Sequence, residues 1–482
     1  MKKIGIIVFI SCYSMILSQA PSKFFQRFGG NGYDVAYDLK QTLDSGYIVA
    51  GSTSSFGFGN TDMYLTKLNK MGEMVFQKTF GNYNNETAKS VIQLIDSSYV
   101  ILGYTNSFGA GGYDMYLVKV DKLGELVWQK NYGGVDWDFG YSLKQTTDGG
   151  FIIAGTTYSF GRGNADGYVI KTDALGNVVW SKTFGGSYDD EFKSVIQTSD
   201  GGYALTGYSK SYSDLTYGDM WVFKINALGD STWCKFYGGV KEDFGNCIIE
   251  HPNGDYLIAG AKQSITTDFL EAFALRINSS GVVGFQFLDN DVFNHRVFNS
   301  VTISKRNSNI VTFIEKENFP GYNLQFKILE LHVNLFYLNA TDYGSLDYDE
   351  TFSIIASLDK GYAAVGYTKG YGAVLTDVYV VKTDSMLVGG NYSIVGINDV
   401  DKKTSMIQVF PNPVKDLLML KSEHVSSLSS ISMYDSYGVE LDLKQKVYQK
   451  STHEIIIDVK DLLNGIYFLK IEESVKKIII NH

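Results

Sequence analysis

Residues 148–186 read DGGFIIAGTTYSFGRGNADGYVIKTDALGNVVWSKTFGG, and nearly the same words return along most of the chain. The glycine that closes the "IAG" phrase recurs at Gly51, Gly103, Gly155, Gly207, Gly260 and Gly366, with Phe313 standing at the remaining place. The steps are 52, 52, 52, 53, 53 and 53 residues. A fixed period of this size, rich in strand signals, is the mark of propeller blades. The expected fold class is all-β, with a seven-bladed β-propeller over residues 22–384.

Each copy divides into four strands. In the copy quoted, strand a is the alternating GYSLKQT (residues 140–146), Asp148-Gly149-Gly150 turns into strand b, FIIAGTT, and strands c and d are DGYVIKTD and NVVWSKTF. The c–d turns carry Asn or Asp first and Gly fourth: Asn69 with Gly72, Asp121 with Gly124, Asp173 with Gly176, Asn226 with Gly229, Asn278 with Gly281. A type I turn favours this pair, because the Asx side chain bonds the turn backbone and Gly accepts positive φ. So small a sheet cannot stand alone, and blades must stack around an axis. The predicted contacts are the recurrent aromatics, Phe24, Phe76, Trp128, Trp180, Trp233, Phe285 and Leu338 in strand d, and Tyr64, Tyr116, Tyr168, Trp221, Phe273, Phe326 and Tyr379 in strand c. An orphan strand d, KFFQRFGG (residues 23–30), precedes the first strand a, while the last copy lacks one after Lys382. The orphan is expected to complete the seventh blade and remove the free sheet edges.

A residue needed for chemistry has little reason to appear in every copy, so recurrence argues for structure. Asp62, Asp114, Asp166, Asp219, Glu271 and Asp377 open strand c and read as loop-fastening acids; the Lys five places on, from Lys67 to Lys382, reads as a snorkelling residue or the partner of a nearby acid. A second acidic series, Asp34, Glu86, Asp138, Asp190, Asp243 and Asp349, precedes strand a. It shares a face with the b–c loops, which carry Phe56, Phe108, Phe160, Tyr212 and Tyr371. Aromatic planes beside carboxylates suit a sugar, and an acid ring suits a cation; turn fastening and loop packing are the competing reading. The sixth copy departs from the pattern at Arg296, Phe313, Leu324 and Leu329. It is either a drifted blade or a bespoke binding blade using His295, Arg296 and residues 315–322.

With 50 Gly and only 5 Pro, the composition suits short strands and tight turns. The net charge is −10 with no basic stripe, which sets nucleic acid aside as a partner. His251, His295, His332, His424, His453 and His482 show no metal-binding spacing, and there is no Cys cluster, phosphate-cradling loop or nucleophile elbow. Arg27, Arg162, Arg276, Arg296 and Arg306 form no sialidase-type cluster. No catalytic residue, metal or cofactor is assigned, although a carboxylate pair for glycoside cleavage stays open. Lys2 and Lys3, an apolar run from Ile4 to Leu17 and Ser18-Gln19-Ala20 have the layout of a signal peptide over residues 1–20. Cys12 within it leaves a lipoprotein reading open, and Cys234 and Cys247 are expected to be free thiols. No later run is apolar enough to span a membrane.

The repeat resembles the seven-bladed propeller repeats of bacterial exported proteins. After a linker at residues 385–404, residues 405–482 read as short alternating strands, enough for a small β-sandwich. Phe410-Pro411-Asn412-Pro413, the YDSYG turn ending at Gly438, Leu463-Asn464-Gly465-Ile466-Tyr467 and the terminal Lys476-Lys477-Ile478-Ile479-Ile480 resemble the C-terminal sorting domain of Bacteroidetes cargo for type IX secretion. That resemblance implies export past the outer membrane, the type IX machinery as a partner, and a secreted or outer-surface location. The expected function is a non-enzymatic binding or adhesion module for a glycan or surface protein. The alternatives are a carbohydrate-active hydrolase or lyase using carboxylates on the loop face, and a structural envelope protein.

Overall fold

The glycine that sets the period is a point of close approach between strands. A computed structural model describes residues 23–385 and 387, except 213–216, 290–293, 305–307, 318–324 and 346. Toward the C-terminus it describes 408–410, 414–421, 431–434, 440–441, 447–451, 454–471 and 474–480. The signal segment, most of the linker, residues 318–322 and the sorting residues Pro411, Asn412, Pro413 and Gly438 lie outside the described residues. In the copy quoted above, strand a (Asp138–Gln145) pairs with strand b (Phe151–Thr157) through Gly140 opposite Gly155 and then Ser142 opposite Ala154. Tyr141 is thus an extra residue, a β-bulge that bends the strand. A Cβ on Gly155 would lie 1.8 Å from the Phe139 carbonyl oxygen, well inside contact distance. Gly51, Gly103, Gly207, Gly260 and Gly366 meet the matching strand a carbonyl in the same way. The copy with Phe313 keeps the bulge, between Phe298 and Ser300.

The architecture is an all-β propeller of four-stranded antiparallel blades in the strand order a-b-c-d. Six sheets are built from four consecutive strands each, the first spanning residues 34–80 and the sixth 294–343. A further four-stranded sheet is composite: Asp349–Ala356, Tyr362–Thr368 and Asp377–Thr383 are completed by N-terminal Phe24–Phe28. Against the seven blades expected, six are therefore continuous in sequence. Phe24 stands opposite Lys382 and Phe28 opposite Val378. Arg27 Nη1 donates to Asp377 at 2.6 Å, and Lys23 pairs with Asp384. Each strand a packs on the strand a of the next sheet, and the composite sheet packs on the first. There Leu358 N donates to Gln41 at 2.7 Å and Ser353 Oγ to Asp38 at 2.9 Å.

Between sheets, the strand c aromatics are core as expected, with Tyr64, Tyr116, Tyr168, Trp221, Phe273 and Tyr379 buried. The side chain of Phe326 lies outside the described residues. The strand d series needs correcting. Phe24 is buried, Phe76, Trp128, Trp180 and Trp233 are half-buried, and Phe285 and Leu338 are exposed. Strand d is the outermost strand, and its ring is covered by the c–d turn and the strand b aromatic of the next copy, as Trp128 is by Phe151. A Cβ on Gly176 (φ 76°) would sit 3.1 Å from the Trp128 ring, and Gly72, Gly124, Gly229 and Gly281 stand likewise on Phe24, Phe76, Trp180 and Trp233. In the sixth copy Leu335 takes that turn position at φ 58°, and Phe285 is left exposed. The strand c lysines are partners of acids: Lys171 reaches Asp148 of its own a–b turn at 2.9 Å, and Lys67, Lys224 and Lys382 repeat the pairing with Asp44, Asp200 and Asp359.

The C-terminal unit holds two four-stranded sheets of its own. One contains Gln408–Phe410, Leu417–Lys421, Glu454–Asp458 and Val447–Ser451; the other contains Glu440–Leu441, Ile431–Tyr434, Gly465–Ile471 and Ser474–Ile480. Leu418, Leu420 and Ile457 of the first share one buried cluster with Met433, Leu469 and Ile478 of the second.

Two outcomes follow from these contacts. Gly155→Ala drives a methyl into a carbonyl without any positive φ to blame, so it should destabilise the propeller by about 3 kcal/mol, read from chemical denaturation. Removing residues 23–30 uncovers the edge of the last strand c, and should lower the melting temperature and promote aggregation.

Candidate binding site in the central channel

The acids that precede strand a are placed together at the loop face of the sheets, and every one is buried. Asp34 accepts from Ser55 Oγ at 2.6 Å, Gly30 N at 2.8 Å and the Thr53 hydroxyl. Glu86 accepts from Thr105 Oγ1 at 2.7 Å and Asn82 N at 2.9 Å, and Asp138 from Ser159 Oγ at 2.7 Å and Gly134 N at 2.8 Å. Asp190 binds Ser209 Oγ, Ser211 Oγ and Gly186 N. Asp243 takes Gly239 N and Gln263 N, and Asp349 takes Ser345 N and Oγ. Each carboxylate thus ties the d–a turn, and in most copies the b–c loop, to its blade. At the start of strand c, Asp62, Asp114 and Asp166 fasten the b–c loop from the other side, Asp166 accepting from Arg162 N at 2.8 Å and Gly163 N at 2.9 Å, whereas Asp377 pairs with Arg27.

The loop aromatics lie against their own copies. Phe56 and Phe108 are half-buried on Tyr64 and Tyr116, with ring centroids 6.1 and 5.6 Å apart. Phe160 packs on Tyr168 and Tyr371 on Tyr379, while Tyr212 packs on Phe236, and all three loop rings remain exposed. Arg296 donates to Asp289 at 2.6 Å, and His295 Nδ1 accepts from Leu270 N.

A second constellation was not visible as a motif. The bulge places one extra residue per strand a beside the axis, and these residues are Tyr37, Lys89, Tyr141, Lys193, Asn246, Asn299 and Phe352. All are half-buried, and they form a girdle in which Phe352 meets Tyr37, Tyr37 meets Lys89, Tyr141 meets Lys193 and Asn246 meets Asn299. The Phe352 and Tyr37 rings lie 4.9 Å apart. Lys89 Nζ stands 3.2 Å above the Tyr37 ring, and Lys193 Nζ 4.2 Å above that of Tyr141. Asn246 donates to Phe298 O at 3.2 Å and Asn299 to Thr351 O at 2.7 Å. One step toward the loop face, Glu191 pairs with Lys193 at 2.8 Å, and Phe139 joins Tyr104, Tyr113, Trp137 and Tyr158 in an aromatic cluster. Trp137 and Tyr158 of that cluster are exposed. The one signal that could have found the girdle is variation: its position differs from copy to copy between neighbours that recur.

Burial pushes Tyr37 up to about 12 and raises Glu350. Burial, reinforced by the charge of Lys193 and opposed by Glu350, pushes Lys89 down to about 7. Chemically, the girdle offers aromatic planes, two ammonium groups and two amides at matching places of the inner strands. Among the described residues no group of three or more His, Cys, Asp or Glu is assembled to hold a metal ion, and no helix is long and apolar enough to cross a membrane.

Residues 408–481 match the family of secretion system C-terminal sorting domains. This tail implies export, to the cell surface or beyond, and dealings with the type IX secretion machinery. Gly465 and Tyr467 of the expected signal lie on its strand Gly465–Ile471, while Phe410 and Lys477 lie on Gln408–Phe410 and Ser474–Ile480. Over 204 residues the chain is 30% identical to the regulatory protein FlaEY of Caulobacter vibrioides, an overlap of 36% of this chain and 21% of that protein. Among solved structures, it is similar to a protein of unknown function from Bacteroides caccae (11% identity, TM-score 0.38, 64% of this chain and 93% of that one). It is also similar to puromycin hydrolase (10% identity, TM-score 0.49, 84% and 60%). Neither likeness assigns an activity to this chain.

Asp243 gives the fold a pH signature. Burial, opposed by the Gly239 amide, pushes Asp243 up to about 6. A raised carboxyl pKa means that the folded state holds the proton more tightly, so this group favours folding at low pH and the benefit is lost as pH rises through about 6. From pH 7 to pH 5 the wild type should therefore gain melting temperature relative to Asp243→Asn, measured in parallel scans.

Proposed function

We propose that this chain is an exported recognition protein, in which a seven-bladed propeller binds carbohydrate at its loop face and channel mouth. The composite sheet counts as the seventh blade, and the C-terminal pair of sheets as a β-sandwich that delivers the propeller to a type IX system of the Bacteroidetes kind, after a signal peptide has taken it across the inner membrane. The observation that carries this reading is the run of exposed rings around the mouth: Tyr33, Trp137, Tyr158, Phe160, Tyr188 and Tyr212. They stand on the d–a and b–c loops, and Trp137 and Tyr158 reach the Tyr141 ring of the girdle through Phe139. Flat, partly wet aromatics next to hydroxyl and amide groups suit the apolar face and polar rim of a sugar ring. The commitment of the recurring carboxylates to turn amides and hydroxyls supports binding over turnover.

A glycan array with hydrolysis assays on the same saccharides tests the proposal. Binding without turnover is expected, and Trp137→Ala should weaken it by about tenfold, the loss of one ring stack at ~1 kcal/mol or a little more. Turnover abolished by a single Asp substitution would instead establish a carbohydrate-active enzyme.

A further inference from the structure

The most informative side chain in the channel is Lys89. The strand c lysines 67, 171, 224 and 382 each find a carboxylate, and Lys193 has Glu191. Among the described residues Lys89 makes neither a hydrogen bond nor an ion pair; its ammonium rests 3.2 Å above the Tyr37 ring and 5.9 Å from that of Tyr104. Its three N–H donors are unspent. The groups that act on it are Lys193, a second cation, and the carboxyl of Glu350, which also bonds Tyr367. A half-buried ammonium with a ring beneath it and a like charge nearby has no anion in direct contact to offset its desolvation, since the Glu350 carboxyl that acts on it is bonded by Tyr367. No other copy of the repeat needs Lys at this place: Tyr, Asn and Phe stand there elsewhere, so neither cation is required to build a blade.

We infer that the girdle is an anion subsite in which Lys89 and Lys193 receive the carboxylate or sulfate of an acidic saccharide while the rings of Tyr37 and Tyr141 stack on its sugar. This inference deepens the carbohydrate reading and rests on it for the sugar, though not for the anion. Charge-assisted bonds to an oxyanion are the stronger class of hydrogen bond, and within the channel they are shielded from water. The charge of Lys193 acts on Lys89, a juxtaposition of two cations that a neutral glycan does not call for. The low pKa of Lys89 agrees with an ammonium still awaiting its counter-ion.

The test uses the full chain and three disaccharides of one skeleton: neutral, uronate-bearing and sulfated. Calorimetric titration should show at least one charged probe binding about tenfold or more tightly than the neutral one; which of the two is preferred identifies the source of the anion. Lys89→Met, which keeps the stem and removes the charge, should erase that preference, whereas Trp137→Ala should weaken all three probes alike and keep it. Inorganic sulfate supplies an arm without sugar: it should protect Lys89 from amine acetylation, read by peptide mass spectrometry. Sulfate protection without binding of any disaccharide would remove the carbohydrate reading and keep the anion site. Equal affinity for charged and neutral probes together with no protection by sulfate would overturn it, as would an undiminished charge preference in a folded Lys89→Met protein.

Discussion

In every propeller sheet but the one with Phe313, a strand a carbonyl is pressed against a strand b glycine. Where the inner strand bulges, the oxygen of Val35, Thr87, Phe139, Glu191, Phe244 or Glu350 occupies the space that a side chain on the facing glycine would take. A bulge increases the local twist and leaves one residue outside the ladder. The twist suits an inner strand that must lie along the axis, and the residue left out is delivered to the channel. One steric exclusion therefore explains both why the period is marked by glycine and why the channel has a lining that each copy is free to choose.

Around that inner contact, the remaining recurrent residues are fasteners. Two series of carboxylates hold the d–a turns and b–c loops, and a lysine holds the a–b turn through its aspartate. The c–d glycine serves twice, taking a positive φ and giving the neighbouring blade's ring a flat seat. Loops pinned in this way can display aromatic rings to water without collapsing onto the blades, and a rigid display lowers the ordering cost of binding. The proposed recognition surface is thus the product of the structural residues, although it contains few of them.

Copies that depart from the pattern do so in matched pairs. The third strand c has Gly167 where the first, second and fourth have Met63, Met115 and Met220, and the fourth strand a has Phe192 where the first three have Ala36, Ala88 and Gly140. A Cβ on Gly167 would lie 2.7 Å from the Phe192 ring, and that ring stacks on Trp221 with centroids 4.5 Å apart. Close packing between neighbouring blades conserves volume across the interface rather than residue by residue. The sixth copy shows the opposite, with Leu335 in the turn and Phe285 left in solvent.

The sequence by itself determined the period, the four-strand unit, the turn chemistry and the use of the N-terminal strand to complete the last sheet, because each rests on local rules of alternation, Asx–Gly turns and edge pairing. It also exposed the sorting tail through a set of short ordered phrases. Tertiary structure alone decided the girdle, since no single residue type runs through the copies at the place of Tyr37, Lys89 and Tyr141 and a bulge is invisible until two strands are paired. It also decided the fate of the strand d rings, half-covered or exposed according to the turn that the next copy lays over them. Local patterns are written along the chain, whereas the channel is made by residues about fifty positions apart that meet only when the ring has formed.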